Sequence, residues 1–218
     1  MGSRDWADPR LVAVLAAAFI VMFWLALWLY LSMRPPGDDS AEAGFARDMI
    51  VHHAQAVEMA EIVRDKTESE EVRILATDIA LTQQAQIGQM QGWLAVWGLP
   101  VTRTEPAMSW MGHPTEGRMT GMATPEEINR LRNASPEEAD AMFLRLMIPH
   151  HEAAIPMAEA ILEKTGRPEV EELAGAIVAS QRAEIRVMQN MLRNMGEEAP
   201  VNGPDKMESM PGMEHEGQ

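Results

Sequence analysis

Two stretches of the chain place the same donor atoms at the same spacing. Phe45-x-x-x-Met49-Ile50-x-His52-His53-x-x-Ala56-x-x-Met59-Ala60-Glu61 returns 98 residues later as Phe143-x-x-x-Met147-Ile148-x-His150-His151-x-x-Ala154-x-x-Met157-Ala158-Glu159. The two other histidines of the chain's six end Met108-x-x-Met111-x-His113 and Met210-x-x-Met213-x-His215, so every histidine has methionine neighbours. Imidazole and thioether are metal donors, and thioether selects soft ions such as Cu(I) and its analogue Ag(I), whereas hard ions need carboxylates. On a helix, residues three and four apart share a face, so Met49 with His52 and His53 can converge on one ion. Met59 lies two turns beyond His52, about 10 Å away by helix rise, and fits a second site or one shared with Met90 on a neighbouring helix. Met147, His150, His151, Met157 and Met188 repeat the pattern, which predicts paired sites. The candidate ligands are therefore these ten residues together with Met108, Met111, His113, Met210, Met213 and His215.

Composition narrows the chemistry further. Cysteine is absent, which removes disulfides, thiolate zinc sites, iron–sulfur clusters and covalent c-type haem. A di-iron carboxylate bundle requires Glu-x-x-His on two helices, and no glutamate stands three residues before any histidine. His151-Glu152 begins like the zincin His-Glu-x-x-His, but Ile155 occupies the second histidine's place. A b-type haem held by His and Met inside a bundle stays open, since it leaves no covalent motif, although it does not account for the methionine-rich segments between and after the repeats. No general base, nucleophile or carboxylate ligand set stands beside the His-His pairs, so a binding protein is expected rather than an enzyme. A redox enzyme and an anchored interaction module are the alternatives. The formal charge of −15 argues against nucleic-acid binding, which needs a basic surface, and favours cations around the molecule. Methionine is over-used at 19 residues against 4 phenylalanines and 1 tyrosine. Core filling by a flexible side chain accounts for Met142, Met191 and Met195 but not for Met207, Met210 and Met213 in a Pro/Gly/Glu-rich tail.

These donors need a scaffold, and the sequence predicts an all-α one. Residues 1–10 read as a cytoplasmic N-terminus. Leu11 to Leu31 carries no charge and is long enough to span a bilayer core of about 30 Å. Trp24, Trp28 and Tyr30 suit an interfacial belt, and Arg4 and Arg10 against Arg34 favour the N-terminus inside. A cleaved signal peptide is the other reading of this segment, but the apolar run is long for one and no small-x-small site follows it. After a linker at 32–40, Asp39-x-x-Glu42 predicts a capping box for a helix running to about Lys66. A second helix from near Ser69, with Val72, Leu75, Ala76, Ile79, Ile87, Met90 and Leu94 at helical spacing, stops at Gly98 and Pro100. Helices over Pro136 to Lys164, behind Ser135-x-x-Glu138, and over Pro168 to Asn194 repeat this hairpin. At the same offset of 98, Val72, Leu75, Ala76, Ile79, Gln83, Ala85, Ile87, Met90, Gln91 and Leu94 match Val170, Leu173, Ala174, Ile177, Gln181, Ala183, Ile185, Met188, Gln189 and Leu192, the mark of a duplicated unit. Repeat 1 (41–97), a crossover (98–135) with one short helix at Thr124-Pro125-x-Glu127, and repeat 2 (136–195) thus predict a ferritin-like four-helix bundle over 41–195 made of two duplicated hairpins. Pro149 and Pro156, whose counterparts are Val51 and Glu58, are expected to bend the third bundle helix. Trp110 beside Met111 is either a packing residue or a cation–π cap for an ion. The tail, 196–218, is expected to be disordered.

The repeated Phe-x-x-x-Met-Ile-x-His-His-x-x-Ala-x-x-Met-Ala at 45–60 and 143–158 resembles the signature of the domain-of-unknown-function family numbered 305, which includes CopM-type copper-binding proteins. The resemblance spans about 41 to 195 and takes in both motif copies and both glutamine-rich partner helices. It implies a ferritin-like bundle, an envelope or periplasmic location, and Cu(I)/Ag(I) binding that contributes to copper homeostasis or resistance. It carries the ligand role onto Met49, His52, His53 and Met59, and onto Met147, His150, His151 and Met157. The expected partners are the metal ion, the membrane through the N-terminal helix and a copper-trafficking protein. The expected location is a single-pass position in the cell membrane with the C-terminal domain extracytoplasmic.

Overall fold

The computed structural model describes residues 9–32, 34–102 and 105–197, so Met207, Met210, Met213 and His215 lie outside the described residues. Its helices are α1 (Pro9–Ser32), α2 (Ala41–Arg64), α3 (Glu70–Val96), α4 (Pro125–Asn133), α5 (Pro136–Leu162) and α6 (Pro168–Asn194). Among the described residues there is no strand, only an isolated bridge between Ala107 and Thr115. The chain divides into two units, Met1–Pro36 and Gly37–Gln218. The first holds α1, whose Pro9–Tyr30 stretch has a mean hydropathy of 2.6 and is long and apolar enough to cross a membrane.

The second unit is the four-helix bundle that the apolar spacing predicts. Helix α2 packs on α3, α5 on α6, and α2 on α5. Side-chain oxygens start the helices by accepting orphan backbone N–H groups: Ser40 from Ala43, Ser69 from Val72, Thr124 from Glu127 and Ser135 from Glu138. The last two are complete capping boxes with proline in the first turn. The box expected at Asp39-x-x-Glu42 does not form. Ser40 is the cap, and the Glu42 carboxylate instead accepts from the Thr165 hydroxyl at 3.0 Å, joining the start of α2 to the turn between α5 and α6. Helix α5 continues through Pro149 and Pro156.

The core has layers along the bundle axis. One apolar cluster takes Ala56, Met59 and Val63 from α2, Val72 to Ala80 from α3, Phe143 to Ile148 from α5, and Met188 and Leu192 from α6. The other takes Phe45, Met49 and Ile50 from α2, Ile87 to Leu94 from α3, Ala154 to Ile161 from α5, and Val170 to Ile177 from α6. Along α2 and α6 the second cluster comes first, whereas along α3 and α5 the first one does, so each helix runs antiparallel to the neighbours it packs against. Of the methionines assigned to core filling, Met142 and Met191 are partly buried against the first cluster. Met195 is 41% exposed and fills nothing.

Candidate metal centre

Every bundle helix passes from one apolar cluster to the other through a short polar stretch, and these stretches meet in mid-bundle. They contribute His52 and His53 from α2, Gln83 and Gln86 from α3, His150 and His151 from α5, and Gln181 and Glu184 from α6. All four histidines are fully buried. His52 and His150 lie face to face, ring centroids 3.8 Å apart and planes tilted by 40°. The other ring of each pair is set back, 6.5 Å from His52 to His53 and 6.3 Å from His150 to His151.

The outer histidines are held from behind. His53 Nε2 lies 2.8 Å from Gln86 Oε1, and His151 Nε2 lies 2.6 Å from Glu184 Oε2. An amide or carboxylate oxygen can only accept, so each Nε2 donates, and in a neutral ring that leaves the lone pair on Nδ1. Both Nδ1 atoms are buried without a hydrogen-bond partner among the described residues, as are both nitrogens of His52 and His150, both amide atoms of Gln83, and Gln181 Oε1. Buried polar atoms ordinarily find protein, water or an ion, so this layer is built to receive something polar. Burial, and then the neighbouring imidazoles, push His52 and His150 well below the usual histidine range, opposed by a nearby backbone group, Thr120 at His52 and His52 at His150, neither of which closes a hydrogen bond of ordinary geometry. Burial drives His53 down to about 3, against the Gln86 hydrogen bond. These three rings are thus neutral donors at ordinary pH, the form that binds metal.

The methionines group differently from the pattern expected within one repeat. Met49, Met90 and Met157 lie buried in the second cluster, and Met59, Met147 and Met188 in the first. Each set combines the methionine three residues before one His pair with the later methionine of the other repeat, because α2 and α5 are antiparallel. Met59 therefore does not share a cluster with Met90. Among the described residues no three His, Asp or Glu side chains gather closely enough to hold an ion alone. An ion in this layer would need thioether or amide donors besides imidazole.

The crossover lies against the bundle. The Asp48 carboxylate accepts from the Met108 backbone N–H at 2.8 Å and from Trp110 Nε1–H at 2.9 Å, and Trp110 packs edge-on against Phe45 at 5.9 Å. This makes Trp110 a packing residue. Met108 and Met111 pack, partly buried, on the second cluster, while His113 is exposed. The Gln55 amide pairs with both backbone groups of Ala123. Gly121, at φ 78°, sits where a Cβ would meet the Pro149 carbonyl oxygen at 2.5 Å.

The sequence motifs missed Gln83, Gln86, Gln181 and Glu184. The signal was present: Gln83 and Gln181 are identical at the 98-residue offset and fall on the apolar face of their helices, where a polar residue is conspicuous.

The sequence model of the family described as Domain of unknown function (DUF305) matches residues 42–192. The chain belongs to the DUF305 family. A DUF305 protein from Streptomyces coelicolor is 45% identical with a TM-score of 0.73, the match covering 76% of this chain and all of that one. CopM in its Cu(II)-bound form is 33% identical with a TM-score of 0.58, over 72% of this chain and 97% of CopM. CopM has also been solved with Cu(I) and with Ag bound. The uncharacterized protein L153 of Acanthamoeba polyphaga mimivirus is 42% identical over 53 residues, 24% of this chain and about a third (35%) of that protein's length. The Streptomyces coelicolor protein and CopM share the helical fold described above.

Proposed function

We propose that this DUF305 chain is a membrane-anchored, extracytoplasmic protein that sequesters or delivers Cu(I) or Ag(I). The observation that carries the reading is the buried polar layer, in which six imidazole nitrogens lack protein partners between two sets of buried methionines. The donor set fits a soft monovalent ion: neutral imidazole, thioether close by and no thiolate. The copper and silver held by CopM support it. His52, His53, His150 and His151 are the proposed ligands, with Met49, Met90 and Met157 on one side and Met59, Met147 and Met188 on the other. Met108, Met111 and His113, together with Met210, Met213 and His215, would gather ions outside the layer and pass them on, to the site or to a trafficking partner. Outer-sphere hydrogen bonds donated by His53 to Gln86 and by His151 to Glu184 orient these rings, as is usual for metal-bound histidine. No catalytic step is required. A haem is a poorer occupant, since the His52 and His150 rings are in contact and leave no slot for a macrocycle between them. Helix α1 supplies the anchor, with the bundle on the outer side.

The test is Cu(I) titration of the full-length chain in detergent against a competing chelator, beside a His52, His53, His150, His151 to Ala variant whose helicity is checked by circular dichroism. Tight binding that the folded variant loses supports the reading. Equal binding by both proteins returns the histidines to a structural role.

A further inference from the structure

Three of the four residue pairs in the polar layer are identical across the 98-residue offset: His52 with His150, His53 with His151, and Gln83 with Gln181. The fourth differs in charge, for Gln86 in the first repeat corresponds to Glu184 in the second. The two side chains do the same geometrical work, each accepting from the Nε2 of an outer histidine, at 2.8 Å and 2.6 Å. They leave the same Nδ1 atom buried without a hydrogen-bond partner among the described residues. Their electrostatic effects are not the same. A cation bound at His151 has a carboxylate one imidazole away, so the buried site can be neutral overall. A cation bound at His53 meets only an amide dipole, and its charge stays uncompensated where burial is costly. A carboxylate behind an imidazole also makes the ring a better donor than an amide does.

We infer that Glu184 makes the two halves of the layer unequal, so that the first monovalent soft cation is held by the His151 half and a second, at the His53 half, is held more weakly. This rests on the copper and silver reading above and adds an order of filling to it. Glu184 acts through His151 and is a positioning residue, its side chain 20% exposed at the edge of the layer. Because glutamine already makes the equivalent hydrogen bond to His53, the Glu184→Gln variant retains the fold.

The experiment is calorimetric titration of the full-length chain in detergent with Ag(I), which undergoes no redox change, in the presence of a competing ligand. It compares wild type with E184Q, Q86E, the Q86E/E184Q exchange, H53A and H151A. Two binding steps are expected in wild type. E184Q should weaken the tighter one by about 10- to 100-fold, the usual cost of losing an outer-sphere carboxylate, and should leave the ligand-free melting temperature close to wild type. H151A should remove the tight step and H53A the weak one. The exchange variant should move the tight step to His53, which a purely structural role for Glu184 would not achieve. Should the chain hold a single ion, its loss in H151A and retention in H53A gives the same support. Unchanged tight binding in E184Q, or equal effects of H53A and H151A, overturns the inference while leaving metal binding intact. A wild-type chain that takes up no Ag(I) overturns both.

Discussion

A buried imidazole kept neutral makes the apo protein sensitive to acid. In the unfolded chain each histidine takes a proton near pH 6.5, whereas in the bundle burial holds His52 and His150 well below that and His53 near 3. Between these values the unfolded state binds more protons than the folded one, so stability falls as pH falls. This contribution is fully present above about pH 6.5 and is lost progressively toward about pH 3. Thermal melts of the apo protein should therefore be level near neutrality and decline steeply below pH 6.5, and a flat profile down to pH 4 would show that these rings take up protons in place. Gln83 gives a second prediction at this scale. Both of its amide atoms are buried without a partner, so the nearly isosteric Gln83→Met should raise apo stability by about 1–3 kcal/mol, read as a higher urea midpoint. A lowered midpoint would mean that the amide is satisfied in solution.

At the scale of elements, the bundle depends on how the crossover is fastened to α2 and α5. Asp48→Ala removes the acceptor of the Met108 N–H and of the Trp110 ring N–H, at about 1–3 kcal/mol for the donors left behind, and tryptophan fluorescence should shift to the red. Gly121→Ala combines a left-handed φ with a 2.5 Å approach to the Pro149 carbonyl. Over-packing of this kind costs about 1–3 kcal/mol, and hydrogen exchange should quicken around residues 119–123. The sequence made the helices themselves legible. Ser135 and Thr124 with their glutamates, Pro168, and Gly98 marked their ends, and the predicted span Pro168 to Asn194 agrees with α6. Asp39 was mistaken for a cap because Asp and Ser compete for that role, and only the turn geometry selects Ser40. The His pairs were visible as candidates. Their meeting was not, because spacing within one helix says nothing about which turn of another helix faces it. For the same reason the grouping of Met49 with Met157, and of Met147 with Met59, was hidden until the antiparallel docking of α2 on α5 was known. Glu184 was hidden differently, since a glutamate on a helix with exposed neighbours reads as solvated surface until its carboxylate is found against His151.

At the scale of the whole molecule, α1 and the bundle are separate units, which separates location from binding. Removal of residues 9–32 should shift the protein from the carbonate-resistant membrane fraction to the soluble one and leave the circular dichroism of the bundle unchanged; retention in the membrane would assign the anchoring elsewhere. Within the bundle, the contact of His52 with His150 joins one residue from each hairpin, so neither half of the chain contains the centre. The arrangement behaves as a coincidence detector for its own assembly. Two separately made fragments, one ending in the crossover and one beginning there, would each lack the joined layer, so the binding that depends on all four histidines would appear only on mixing and would count completed molecules one by one.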